Sequence, residues 1–134
     1  MWRIVQTEDF ARQARWYGKK KGKEFAAVAS NLNQFLEWLN SGHPVRPFAF
    51  GFLHDEPAGV IAIDQRGAST KLAATRLYLY AYVERETVYL LTIGDKRSQN
   101  QDVQDCKRTA EAIQADPSFG TGEENQDEED RAGR

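Results

Sequence analysis

The sequence predicts an α+β domain, and three observations carry that prediction. Residues 75–97, TRLYLYAYVERETVYLLTIGDKR, alternate in the manner of two antiparallel strands joined by a polar turn. Residues 24–40 place apolar side chains at three- and four-residue steps, the period of a helix buried along one side. Residues 98–115 carry a narrower stripe of the same period before Asp116 and Pro117 end it.

The hairpin is the centre of the chain. In Thr75–Val83 the side chains of Leu77, Leu79, Ala81 and Val83 fall on one face, while Arg76, Tyr78, Tyr80 and Tyr82 fall on the other. The first face is a core; the second is an arginine framed by tyrosines. Glu84–Glu86 supplies the polar break, and Thr87–Ile93 runs as a β-branched and aromatic strand until Gly94.

Along the chain, Met1–Gln6 forms a short strand, and Thr7 caps the helix that follows with Glu8 and Asp9 at the positive end of its dipole. That helix presents Phe10, Ala14 and Tyr17 and ends at Gly18, leaving GKKKGK at 18–23 as a basic hinge. The second helix, from Glu24 to Asn40, is about 25 Å long at about 1.5 Å per residue. Its stripe of Phe25, Val28, Ala29, Leu32, Phe35, Leu36 and Leu39 is expected to cover the Leu/Val face of the hairpin. Residues 43–58 hold three of the four prolines and three phenylalanines, which predicts a loop pinned by Phe48, Phe50 and Phe52. Gly59–Ile63 is a further strand, and residues 64–74 form a loop into the hairpin. The last helix pairs Ser98 with Gln101 in a reciprocal capping pattern and carries Val103, Cys106, Ala110 and Ile113 on one side.

Size and charge set further bounds. A chain of 134 residues makes one domain that buries roughly two thirds of its unfolded surface, with no cofactor or disulfide needed to hold it. The lone Cys106 fits a reducing compartment, no apolar run reaches the roughly 18 residues of a membrane span, and the start lacks a charged-then-apolar leader. A cytoplasmic protein with no membrane partner is expected. The net charge of −2 hides an uneven distribution. Residues 116–134 hold seven acids and two bases, so residues 1–115 retain 16 bases against 13 acids, a net of +3. The domain is thus 1–115, followed by an acidic tail over 116–134 too poor in apolar residues to order itself.

Several residue groups point to anion chemistry, each with a plainer structural reading beside it. Lys96 and Arg97 precede a helix N-terminus, where free N–H groups and the dipole favour an anion; they are equally an ordinary solvated turn. Arg76 on a central strand either binds something or pairs with an acid such as Asp64 or Glu84. Tyr78, Tyr80 and Tyr82 either stack bases or pack under a helix. Their coincidence with Arg66, Lys71 and Lys96 defines a candidate RNA-binding face. His43 and His54 with one cysteine give no zinc spacing, so no metal site is expected; His54 beside Asp55 retains a role as proton acceptor.

The element order and the hairpin residues resemble the RelE/HigB branch of the bacterial type II toxins. The matching stretches are Thr75-Arg76-Leu77-Tyr78-Leu79-Tyr80 and Val88-Tyr89-Leu90-Leu91-Thr92-Ile93-Gly94-Asp95-Lys96-Arg97, within a resemblance over about residues 1–115. The resemblance implies a small sheet of about four strands, mixed at its N-terminal strand and otherwise antiparallel, packed on an N-terminal helical hairpin with a C-terminal helix. It also implies a metal-independent mRNA endonuclease acting on the ribosome and silenced by a cognate antitoxin. By the same resemblance, Arg76 takes the transition-state phosphate, Lys96 and Lys71 assist catalysis, and Arg66, Arg97 and the three tyrosines hold substrate. Two features depart from the pattern: Asn100–Val103 has no aromatic where the family carries a late tyrosine, and Asp95 lies inside the basic corner. A non-catalytic member of the RelE/ParE superfamily, acting by gyrase inhibition or as an interaction adaptor, is the alternative.

Overall fold

The computed structural model describes residues 1–68 and 71–116. Three helices, α1 (Glu8–Lys20), α2 (Gly22–Asn40) and α3 (Gln99–Ala115), accompany five strands. The strands are β1 (Arg3–Gln6), β2 (Leu53–Asp55), β3 (Val60–Asp64), β4 (Thr75–Tyr82) and β5 (Thr87–Asp95), ordered β1-β5-β4-β3-β2 in one sheet. β1 runs parallel to β5 and every other pair is antiparallel. The class is therefore α+β with a mixed sheet, one strand larger than the expected four. The extra strand is β2, three residues inside the Pro- and Phe-rich segment 43–58, too short to show an alternation in the sequence. The acidic tail over 116–134 lies outside the described residues except for Asp116.

α1 and α2 cover one face of the sheet. Phe10, Tyr17, Val28, Leu32, Phe35 and Leu39 pack there on Ile61, Ile63, Leu77, Leu79, Ala81, Val88, Leu90 and Ile93. Phe52 is buried in the same core, with Phe48 and Phe50 packed against it, so these rings do pin the segment before β2. Thr7 caps α1 as expected, its Oγ1 accepting from Phe10 N at 3.1 Å. α1 runs through Gly18 to Lys20, and the hinge narrows to Lys21, whose non-helical backbone (φ −138°, ψ 53°) separates the two helices. Lys19 and Lys20 are good helix formers at the negative end of the dipole, which carries the helix past the glycine.

Of the two readings of the opposite face, open to a ligand or packed under a helix, the second holds for much of it. Val60, Ala62, Tyr78, Tyr89 and Leu91 form a second core with Cys106, Ala110 and Ile113 of α3. The stripe on α3 needs an apolar partner, and rings on β4 and β5 supply it. A bulge between Tyr78 and Leu79 in the β4–β5 register leaves Leu91 as the extra residue, turned to the α3 side. Val83 leaves the core altogether, exposed on the turn Val83–Arg85 that precedes Glu86 in a left-handed conformation.

Gly94 permits this second layer to form. The first turn of α3 lies so close to β5 that a methyl group at Gly94 would occupy the space of the Asp102 carboxylate and crowd Ser98 Oγ. Replacing Gly94 with Ala is expected to lower the urea midpoint, and adding Asp102→Ala to recover part of the loss. Equal losses in the single and double variants would show that the contact with Asp102 is not the reason for the glycine.

Candidate functional site

On the α3 side of the sheet the register sets out polar groups in rows. Asp64 of β3 pairs with Arg76 of β4, which pairs with Gly94 of β5. The next row holds His54, Ala62, Tyr78 and Thr92. Beyond it, Glu56 follows β2, its N–H donating to Val60 O at 2.9 Å, and Val60 pairs with Tyr80.

Arg76 does not take Asp64 or Glu84 as its partner. Its Nη1 donates to Glu56 Oε2 at 3.3 Å, with the two side chains 28% and 17% exposed. Four residues of strand, about 13 Å at ~3.3 Å per residue, separate the rows of Arg76 and Val60. Both side chains therefore reach toward each other across the row of His54 and Ala62, where the small Ala62 leaves room. The pair is shielded enough for its charges to act strongly and open enough to meet a ligand.

Asp64 is turned to His54 instead, with His54 Nε2 2.7 Å from Asp64 Oδ2. Arg66 fixes that carboxylate through its backbone N–H to Oδ1 at 2.7 Å and through Nη2 at 3.5 Å from Oδ2. From α2, the buried Asn31 donates to the carbonyls of both Asp64 and Arg66 at 2.9 Å, tying the end of β3 to the helix. Asp55, the expected neighbour of His54, pairs with Arg46 at 2.7 Å. Glu56 and the His54–Asp64 contact were not foreseen as a site; the usable signal was the two-residue spacing of His54 and Glu56, which puts both on one face of an extended chain.

The other expected residues are placed as follows. Tyr78 is 0% exposed, its hydroxyl buried without a hydrogen-bond partner, so it offers no ring face to a base. Burial raises its pKa, with Asp102 adding to the effect. Tyr80 and Tyr82 are half-buried, their rings 6.0 Å apart and tilted by 51°. The expected platform of three tyrosines is thus reduced to the edges of two. Arg66 reaches to the carbonyl of Gly51 at 2.7 Å and lines a cleft of about 340 Å³ against α2, away from the Arg76 face. Lys71 is exposed in the loop whose Ala73 N–H donates to Glu24 at 3.2 Å, near the start of α2. Lys96 is exposed beyond the end of β5.

The corner before α3 is already occupied by an acid. Asp95 Oδ1 accepts from the N–H groups of Arg97 and Ser98 at 2.9 and 3.1 Å, and Oδ2 takes the Arg97 guanidinium at 3.0 Å. Burial pushes the Asp95 carboxyl up, but these hydrogen bonds outweigh it and hold the pKa below its ordinary value. The expected Ser98–Gln101 capping pair does not form, because both side chains are engaged elsewhere. Ser98 Oγ donates to Asp102 Oδ2 at 2.7 Å, and Gln101 turns to Asp105 at 2.9 Å. Between α1 and this corner lies an open groove of about 700 Å³, lined by Arg12, Trp16, Tyr17, Asp95 and Arg97 among others.

No known protein family matches this chain, and no curated protein does. Solved structures are similar. One of them is described as the crystal structure of the intact E. coli RelBE toxin–antitoxin complex, at 16% identity and a TM-score of 0.44, over 71% of this chain and 96% of that one. Among the described residues no helix is long and apolar enough to cross a membrane.

Asp102 gives a pH prediction. Burial raises its pKa in the fold, with the Ser98 hydroxyl partly opposing the shift. The folded state thus holds this proton more tightly than the unfolded chain, and the associated stability, present at low pH, is lost as pH rises through the folded pKa. Asp102→Asn should therefore be more stable than the parent at pH 7 and close to it at pH 3, as read by urea denaturation at both values. A stability difference independent of pH would contradict the assignment.

Proposed function

We propose that this chain is a toxin-like endoribonuclease that cuts mRNA, with Arg76 as the phosphate clamp. The observation that carries the reading is the Arg76–Glu56 pair, a guanidinium kept partly exposed on a sheet face and oriented by a carboxylate. The hairpin resemblance to RelE/HigB toxins supports the same assignment of Arg76. Attack of a 2′-hydroxyl on the adjacent phosphorus builds negative charge on the phosphoryl oxygens, and a fixed guanidinium stabilises that charge in proportion to how far water is excluded. Arg76 stays protonated throughout, so it binds and stabilises and does not move the proton. Lys96, at the adjoining end of β5, adds positive charge to the RNA path; Lys71 and Arg66, both displaced toward α2, serve the flanking RNA. A translating ribosome supplies the mRNA, and a cognate antitoxin is the protein partner.

The second reading is a non-catalytic protein that binds a partner, in the manner of gyrase inhibition. The neutralised corner at Asp95 and the seam of α3 over Tyr78 favour it, since both remove features an RNA site would use.

Primer extension on an mRNA incubated with the purified chain, with and without translating ribosomes, separates the two. Cuts are expected that fall by about 100-fold or more in Arg76→Ala, a loss of the size seen for a transition-state charge contact, with an unchanged thermal midpoint. Lys96→Ala is expected to lose less, because its charge is fully solvated. Absence of cleavage together with inhibition of DNA supercoiling would establish the second reading.

A further inference from the structure

Resting on the endonuclease reading, we propose that His54 is the general base of RNA cleavage and that Asp64 is its positioning residue. An ionised carboxylate can only accept a hydrogen bond, so the 2.7 Å contact assigns the proton to His54 Nε2 and leaves the lone pair of the neutral ring on Nδ1. Asp64 is itself held by three groups: Arg66 N–H, the Arg66 guanidinium and, through its carbonyl, Asn31 of α2. At 14% exposure it is shielded, whereas the imidazole at 27% reaches solvent. A fixed, shielded orienter behind an accessible imidazole is the arrangement that a base needs and that a merely structural histidine does not.

Position supports the same role. His54 lies on β2, the outermost strand of the sheet on that side, so no further strand blocks the approach to the ring. It occupies the row across which Arg76 and Glu56 reach for each other, so a phosphate on the Arg76 guanidinium lies beside the imidazole. The charged groups facing His54 are Asp64 from β3, Glu56 from its own segment and Arg76 from β4, with Arg66 behind Asp64; Asp55 is withdrawn to Arg46.

The step balances without a metal or a redox partner. The 2′-oxygen forms a bond to phosphorus as its proton passes to His54 Nδ1, the bond from phosphorus to the 5′-oxygen breaks, and water supplies the proton that the leaving oxygen takes. The products are a 2′,3′-cyclic phosphate and a 5′-hydroxyl end. Asp64 stabilises the imidazolium formed.

The test compares cleavage of the same mRNA, with translating ribosomes, by the full chain, His54→Ala, Asp64→Asn and Arg76→Ala, each checked for an unchanged thermal midpoint. His54→Ala is expected to lose about 100-fold or more in kcat with little change in KM, and added imidazole to restore a measurable fraction. A structural role would give no such rescue. Asp64→Asn should retain folding and lose activity less completely, with a shifted acid limb of the pH–rate profile. Cleavage by His54→Ala at the parental rate, while Arg76→Ala is inactive, would overturn the base assignment and leave the endonuclease reading standing. No cleavage by the parent chain would overturn both.

Discussion

The β4–β5 pair is buried on both faces, and the placement of every polar group on the sheet follows from that constraint. Leu77, Leu79, Val88 and Leu90 face α1 and α2, while Tyr78, Tyr89 and Leu91 face α3. A charged side chain in the middle of such a pair would be desolvated on either side. Arg76 is tolerated because it stands near the start of β4, where α3 has only begun and Glu56 answers its charge. Arg76, Glu56, His54 and Asp64 accordingly gather at the end formed by β2, β3 and the start of β4.

The same constraint explains what could be seen in the sequence and what could not. The stripes on α2 and α3 were legible because a helix that buries one side repeats its apolar residues at a fixed period, and both stripes pack as that period requires. The core face of β4 was legible from its aliphatic alternation. Its other face was not, because a tyrosine reads the same whether its ring is covered or open; Tyr78 and Tyr82 are four residues apart on the same strand, one fully buried and one half-exposed. What separates them is where α3 crosses, a property of tertiary packing.

The polar site was hidden for a related reason. Arg76 and Glu56 are twenty residues apart, joined by a register that no local pattern encodes. His54 was considered beside its neighbour Asp55, yet adjacent strand residues point to opposite faces, and its partner is Asp64 across the sheet. Asp95 interrupts the basic corner in the sequence. In the structure its carboxylate takes the N–H groups of Arg97 and Ser98 and the Arg97 guanidinium, so the turn before α3 already holds an anion of its own. The arginine thus emerges from the sequence, whereas the acid that orients it, and the imidazole beside it, emerge from the sheet.

The central claim is that RNA meets the protein at Arg76 and its neighbours and not at the α1–α3 groove. It is tested most directly by NMR titration with a short RNA whose cleavage site carries a 2′-deoxy substitution, so that it binds and cannot be cut. The account predicts the largest shifts at Arg76, His54 and Glu56, with Trp16 and Arg12 unaffected. Shifts centred on Trp16, Arg12 and Arg97, with the Arg76 face silent, would contradict it.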